Sequence, residues 1–134
     1  MQNDKVTLLK VGLLVNVVVA LAYGISLMIA PGFLTALGGG LIPDFAWLRW
    51  SGGPIIALAV GNIMVFRKPK GQNIYVIFAA LLNLLVSVGL LISLIAAEYS
   101  SATWFIVLPL VLTFVMAVLL WLGRQQAKGI LQQE

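Results

Sequence analysis

Residues 43–66, PDFAWLRWSGGPIIALAVGNIMVF, decide how this chain folds. Arg49, Gly53, Ala57 and Gly61 recur every fourth residue, so on a helix they form one slowly drifting stripe with a guanidinium at one end and small residues below it. Such a stripe predicts a helix face turned toward protein, with Gly53, Ala57 and Gly61 as packing positions. Pro54 removes the amide that would bond the Trp50 carbonyl. A span beginning at Pro54 would run about 13 residues to Phe66, roughly 20 Å, against a hydrocarbon core of about 30 Å. The second helix must therefore start near Trp47 and continue through a kink at Pro54.

Composition says what surrounds this stretch. Of 134 residues, 62% are hydrophobic and 9% charged, where soluble domains carry about 25% charged residues. The chain reads as an all-α polytopic membrane protein, a four-transmembrane-helix bundle with a short interfacial segment between the first two spans. Spans at 11–30, 47–66, 73–97 and 103–122 use up the length, which leaves a single integral membrane domain. Cysteine and histidine are both absent, so thiolate nucleophiles, disulfides, imidazole ligands and the usual zinc sets are excluded. No cofactor, metal site or catalytic residue is read from the sequence.

Lys5 and Lys10 precede an apolar run from Val11 to Ala30. Ala20 and Ala22 give this run the look of a secretory signal, but it continues too far past them, and the expectation is an uncleaved first helix. Within it Gly12, Asn16, Ala20 and Gly24 form a second small stripe, which predicts packing of the first span on the second. Pro31 and Gly32 end that span. The connection beyond is too apolar for a solvated loop, so a short interfacial helix is expected near Phe33 to Leu37, followed by a turn at Gly38, Gly39 and Gly40. No lysine with serine or threonine follows these glycines at phosphate-loop spacing.

Asp44 is placed to cap the second helix, and Trp47 and Trp50 to anchor it at headgroup level. Arg67, Lys68 and Lys70 make a basic turn before the third span, which carries Asn83 and Ser87 on one face. Glu98 to Ser101 form the next loop. The fourth span is bracketed by Trp104 and Trp121, with Pro109 inside it, and Arg124 and Lys128 open a polar tail that Ile130 and Leu131 tether. Alternating the segments puts Lys5, Lys10, Arg67, Lys68, Lys70, Arg124 and Lys128 on one side and Arg49 alone on the other. By the positive-inside rule both termini are cytoplasmic. The net charge of +4 is thus a matter of orientation and implies no nucleic-acid partner.

No acid lies mid-span, which disfavours proton-coupled export of cations, and no triad or carboxylate pair is available for hydrolysis. Arg49, Asp44 and Glu98 fall on the outer side with Trp47 and Trp50. That group reads as an internal ion pair or a headgroup anchor, or else as a site for a lipid headgroup or anionic ligand. Asn16, Asn62 and Asn83 read as hydrogen-bonding glue between helices, for about 0.6 kcal/mol each.

The order Pro31-Gly32-Phe33-Leu34, a glycine turn, Trp47-Leu48-Arg49, Gly52-Gly53 and later Gly61 resembles the DoxX-like small four-helix membrane proteins and neighbouring uncharacterised bacterial families. That resemblance covers the first half of the chain and points to Arg49, Gly53 and Gly61. It implies a setting near quinone-linked oxidoreductases and no catalytic group. Two functions are expected from the whole. One is a non-catalytic integral membrane subunit that packs in the bilayer against other membrane proteins or itself. The other is a binder or transporter of a small lipid-like, quinone-like or anionic molecule near Arg49.

Overall fold

A computed structural model describes residues 2–39, 45–97 and 101–133. They form five helices: α1 (Gln2–Ile29), α2 (Pro31–Leu37), α3 (Phe45–Arg67), α4 (Asn73–Ile95) and α5 (Thr103–Leu131). The four long helices are long and apolar enough to cross a membrane, and α2 is the short helix expected between the first two. Pro31 opens α2, where its missing amide costs no hydrogen bond.

α1 is the central element. It packs along α3 on one side and α5 on the other, and α4 packs on α5, giving the order α3, α1, α5, α4. Glycines set these seams. A Cβ at Gly52 would stand 2.8 Å from the Gly24 carbonyl oxygen and 3.0 Å from the Met28 nitrogen. A Cβ at Gly123 would stand 2.6 Å from Leu9 Cα. Gly12, Asn16, Ala20 and Gly24 of the small stripe on α1 are all buried, but they divide between two neighbours: Gly24 meets α3 at Ile56 and Gly52 as expected, whereas Gly12 meets α5 at Leu119 and Leu120.

Contacts between helix ends collect the basic residues at one end of the bundle. The Lys10 ammonium lies 5.4 Å from the Phe66 ring centroid, and Arg124 Nε donates to Asn73 Oδ1 at 2.8 Å while its guanidinium sits 5.2 Å from the Trp121 ring. At that end the core is densely apolar, built from Val6, Leu9 and Leu13 of α1, Val65 of α3, Val76, Ala79 and Ala80 of α4, and Leu120, Ala127 and Leu131 of α5. At the far end, Ala102 N–H donates to the Gly38 carbonyl at 2.7 Å, tying α2 to the start of α5.

Three boundaries differ from the sequence reading. α1 begins at Gln2 and α5 runs on to Leu131, about 43 Å at 1.5 Å per residue, because Val6 and Leu9 face Ala127 and Leu131 in the same core. Residues 124–131 are thus helix with one buried apolar edge, where a tethered polar tail was expected. α4 ends at Ile95, with Ala97 in the left-handed region at φ 53°.

Alongside this apolar core, burial departs from that of a water-soluble bundle in two respects. Asn16, Asn62, Asn83 and Ser87 are buried, whereas Val18, Met64, Phe78, Leu85 and Phe114 are exposed. Outward faces this apolar suit lipid contact, and internal amides suit an environment that offers them no water.

Candidate functional site

The sequence directs attention to Arg49, and the structure directs it inward. Arg49 is exposed, and Trp47 and Trp50 beside it are 68% and 69% exposed. Their rings meet edge to face with centroids 5.6 Å apart. Asp44 and Glu98, the expected ion-pair partners and the expected helix cap, lie outside the described residues.

The expected packing stripe splits. Gly61 does face a neighbour: a Cβ there would collide with the Tyr75 hydroxyl. Gly53 and Ala57 make no such contact among the described residues, because a Cβ at Gly53 would meet no neighbouring atom and Ala57 is exposed. The inner seam of α3 is carried by Gly52, Ala59, Asn62 and Val65 instead, all buried. Gly53 precedes Pro54, whose ring crowds the Cβ of the residue before it in helical conformation, and glycine is free of that clash.

Between the helices, on the side away from the basic residues, lies a cavity of about 610 Å³. Its position follows from two features of the sequence. Pro54 and Pro109 sit inside α3 and α5, and both line it. Each also removes the amide that would bond the carbonyl four residues earlier, Trp50 and Phe105, which line it as well. In addition, α3 and α4 share no packed seam along their lengths, so the ring of helices is left loose between Leu58 and Trp50 on one side and Asn83 and Leu90 on the other.

Tyr75 spans the α3–α4 gap below the cavity, nearer the basic end. Its hydroxyl donates toward the Leu58 carbonyl at 2.9 Å and toward Asn62 Oδ1 at 3.2 Å. Asn62 Nδ2 is left with no partner. This clasp went unread in the sequence, where the only trace of it is an aromatic hydroxyl early in the third span facing a glycine in the second.

The cavity wall is almost wholly apolar, and among the described residues no charged side chain lines it. Its polar groups are few. Ser51 Oγ donates to the Leu48 carbonyl at 2.8 Å, and Thr113 Oγ1 donates to the carbonyls of Pro109 and Leu110 at 2.8 and 3.1 Å. Asn83 Nδ2 donates to the Ala79 carbonyl at 2.9 Å, within its own helix. Asn16 lines the cavity from α1, is 1% exposed, and has a partner at neither Nδ2 nor Oδ1. The interhelical glue expected of the three asparagines is therefore seen at Asn62 alone, through Tyr75.

Chemically, such a site can hold and exclude, and little else. No group of three or more histidine, cysteine, aspartate or glutamate side chains gathers among the described residues, and no acid or base faces the cavity. Comparison of the chain with protein-family models, with curated proteins and with solved structures gave no match.

Proposed function

We propose that this chain is an integral membrane protein that holds a small, uncharged, largely apolar molecule between its helices. The observation that carries this reading is the 610 Å³ cavity, within the range of about 300–1,000 Å³ typical of small-molecule sites and walled almost entirely by apolar side chains. The loosely closed face between α3 and α4 offers such a molecule a lateral route from lipid. Relative to the site expected beside Arg49, the proposed binding region is deeper and, among the described residues, has no charged side chain in its wall.

Titration with 1-bromododecane, whose bromine quenches tryptophan on contact, tests the reading because Trp50 lines the cavity. Saturable quenching is expected in the parent, weakened by about tenfold in Val86→Phe, which fills one wall at the cost of little internal packing. Linear quenching, identical in both proteins, would show partition into detergent and sink the proposal.

The clustering of Lys10, Arg67, Lys68, Lys70, Arg124 and Lys128 at one end supports a cytoplasmic location for that end and for both termini. Cysteines introduced singly at Gln72 and Ser101, in a chain with none of its own, read this directly. Labelling by a membrane-impermeant maleimide in intact cells is expected at position 101 and not at 72. The reverse pattern would invert the topology.

A second reading, an accessory subunit or self-associating protein of the kind the DoxX-like resemblance implies, is favoured by one observation. Gly53 and Ala57 present a small-residue face on α3 against which no other described helix packs.

A further inference from the structure

Asn16 has the burial of a core residue and the bonding of none. Asn16 lines the cavity, and its amide, buried beside it, has a partner at neither the donor nor the acceptor, while Ser51, Thr113 and Asn83 have turned their donors back onto their own helices. A buried amide without partners is destabilising, and apolar side chains of similar size would avoid that cost. Asn62 finds Tyr75 and Asn83 bonds its own helix, so among these buried asparagines Asn16 alone lacks a partner at both amide atoms, which leaves that role to a group arriving from outside.

We infer that Asn16 recognises the head of an uncharged amphiphile, a molecule with a hydroxyl or carbonyl group on a single apolar tail. The inference rests on the cavity being a binding site. A primary amide can donate to a carbonyl and accept from a hydroxyl at once. Trp50 and Phe105 line the same cavity and their carbonyls lose their helical amides to Pro54 and Pro109, so a hydroxyl-bearing head, which can donate, suits the site better than a carbonyl alone. An ionised head is disfavoured on cost, since among the described residues no charge lines the site to pair with it. In size, 610 Å³ accommodates about 20 non-hydrogen atoms at about 30 Å³ each, water's share of its liquid. A longer tail would leave through the α3–α4 gap.

The test uses three probes on the purified full-length protein in mild detergent: a brominated monoacylglycerol, the brominated fatty acid of the same chain length at a pH where it is ionised, and 1-bromododecane. Each is titrated against the parent, Asn16→Leu and the smaller Asn16→Ala, with tryptophan quenching as the readout. The parent is expected to bind the monoacylglycerol saturably and about tenfold more tightly than the fatty acid. Both variants should lose about tenfold in monoacylglycerol affinity and stay within about twofold of the parent for 1-bromododecane. Thermal unfolding without probe separates this role from a structural one: Asn16→Leu should melt no lower than the parent, because it removes an unpartnered amide.

Unchanged monoacylglycerol affinity in both variants, or a preference for the ionised acid, would overturn the inference while leaving the cavity as an apolar site. So would a lowered melting temperature in both variants, which would make Asn16 a structural bond. Failure of 1-bromododecane to saturate the parent would remove the cavity reading, and this inference with it.

Discussion

Gly123→Ala is expected to cost about 2 kcal/mol of bundle stability, the middle of the range for overpacking a tight seam. The added methyl would lie 2.6 and 2.7 Å from the Cα and N of Leu9. Those are backbone atoms, so no rotamer change relieves the clash, and α1 and α5 must separate along the seam that also buries Leu120, Ala127 and Leu131. Alanine's better helix propensity returns at most about 1 kcal/mol. Gly129→Ala supplies the control on the same helix: a Cβ there meets no neighbouring atom, so only the propensity gain applies. Reversible denaturation in mixed micelles should place Gly123→Ala below the parent and Gly129→Ala at or slightly above it. Coincident curves for Gly123→Ala and the parent would mean that α1 and α5 do not cross where the structure brings them together.

The helices were legible because their signals are long: four apolar runs, a proline at the start of α2 and a basic turn between α3 and α4. The facing of α3 was harder to read. Residues four apart on an α-helix advance by about 40° beyond a full turn, so three such steps swing the stripe by about 120°. Arg49 and Gly61 therefore share a periodicity without sharing a face, and Gly61 meets Tyr75 while Gly53 and Ala57 look outward. The continuation of α5 was hidden for a different reason. Arg124, Gln125, Gln126 and Lys128 make the segment polar by composition, and its buried edge consists only of Gly123, Ala127 and Leu131. The cavity was foreshadowed by two prolines on different spans, but a void is the shape left by four helices, and no local pattern says whether an asparagine beside it finds a partner.

The sharpest contrast lies between adjacent glycines. Gly52→Ala would drive a methyl to 2.8 Å from the Gly24 carbonyl oxygen and 3.0 Å from the Met28 nitrogen, again backbone, at the α1–α3 crossing. A loss of about 2 kcal/mol is expected. Gly53→Ala has open space, and its only penalty is crowding by the Pro54 ring, offset by better helix propensity, so its stability should stay within about 1 kcal/mol of the parent. Ala57→Leu, exposed one turn further along, should leave the isolated chain's stability unchanged within about 0.5 kcal/mol. Denaturation midpoints of the three variants, measured beside their masses in mild detergent, separate internal packing from external association. If the parent is oligomeric and Ala57→Leu alone shifts it to monomer, the outward face of α3 is an interface between subunits. Should Gly53→Ala instead destabilise the monomer as much as Gly52→Ala, the helix would be rotated from the orientation described, and Trp50 and Pro54 would be carried out of the cavity wall with it.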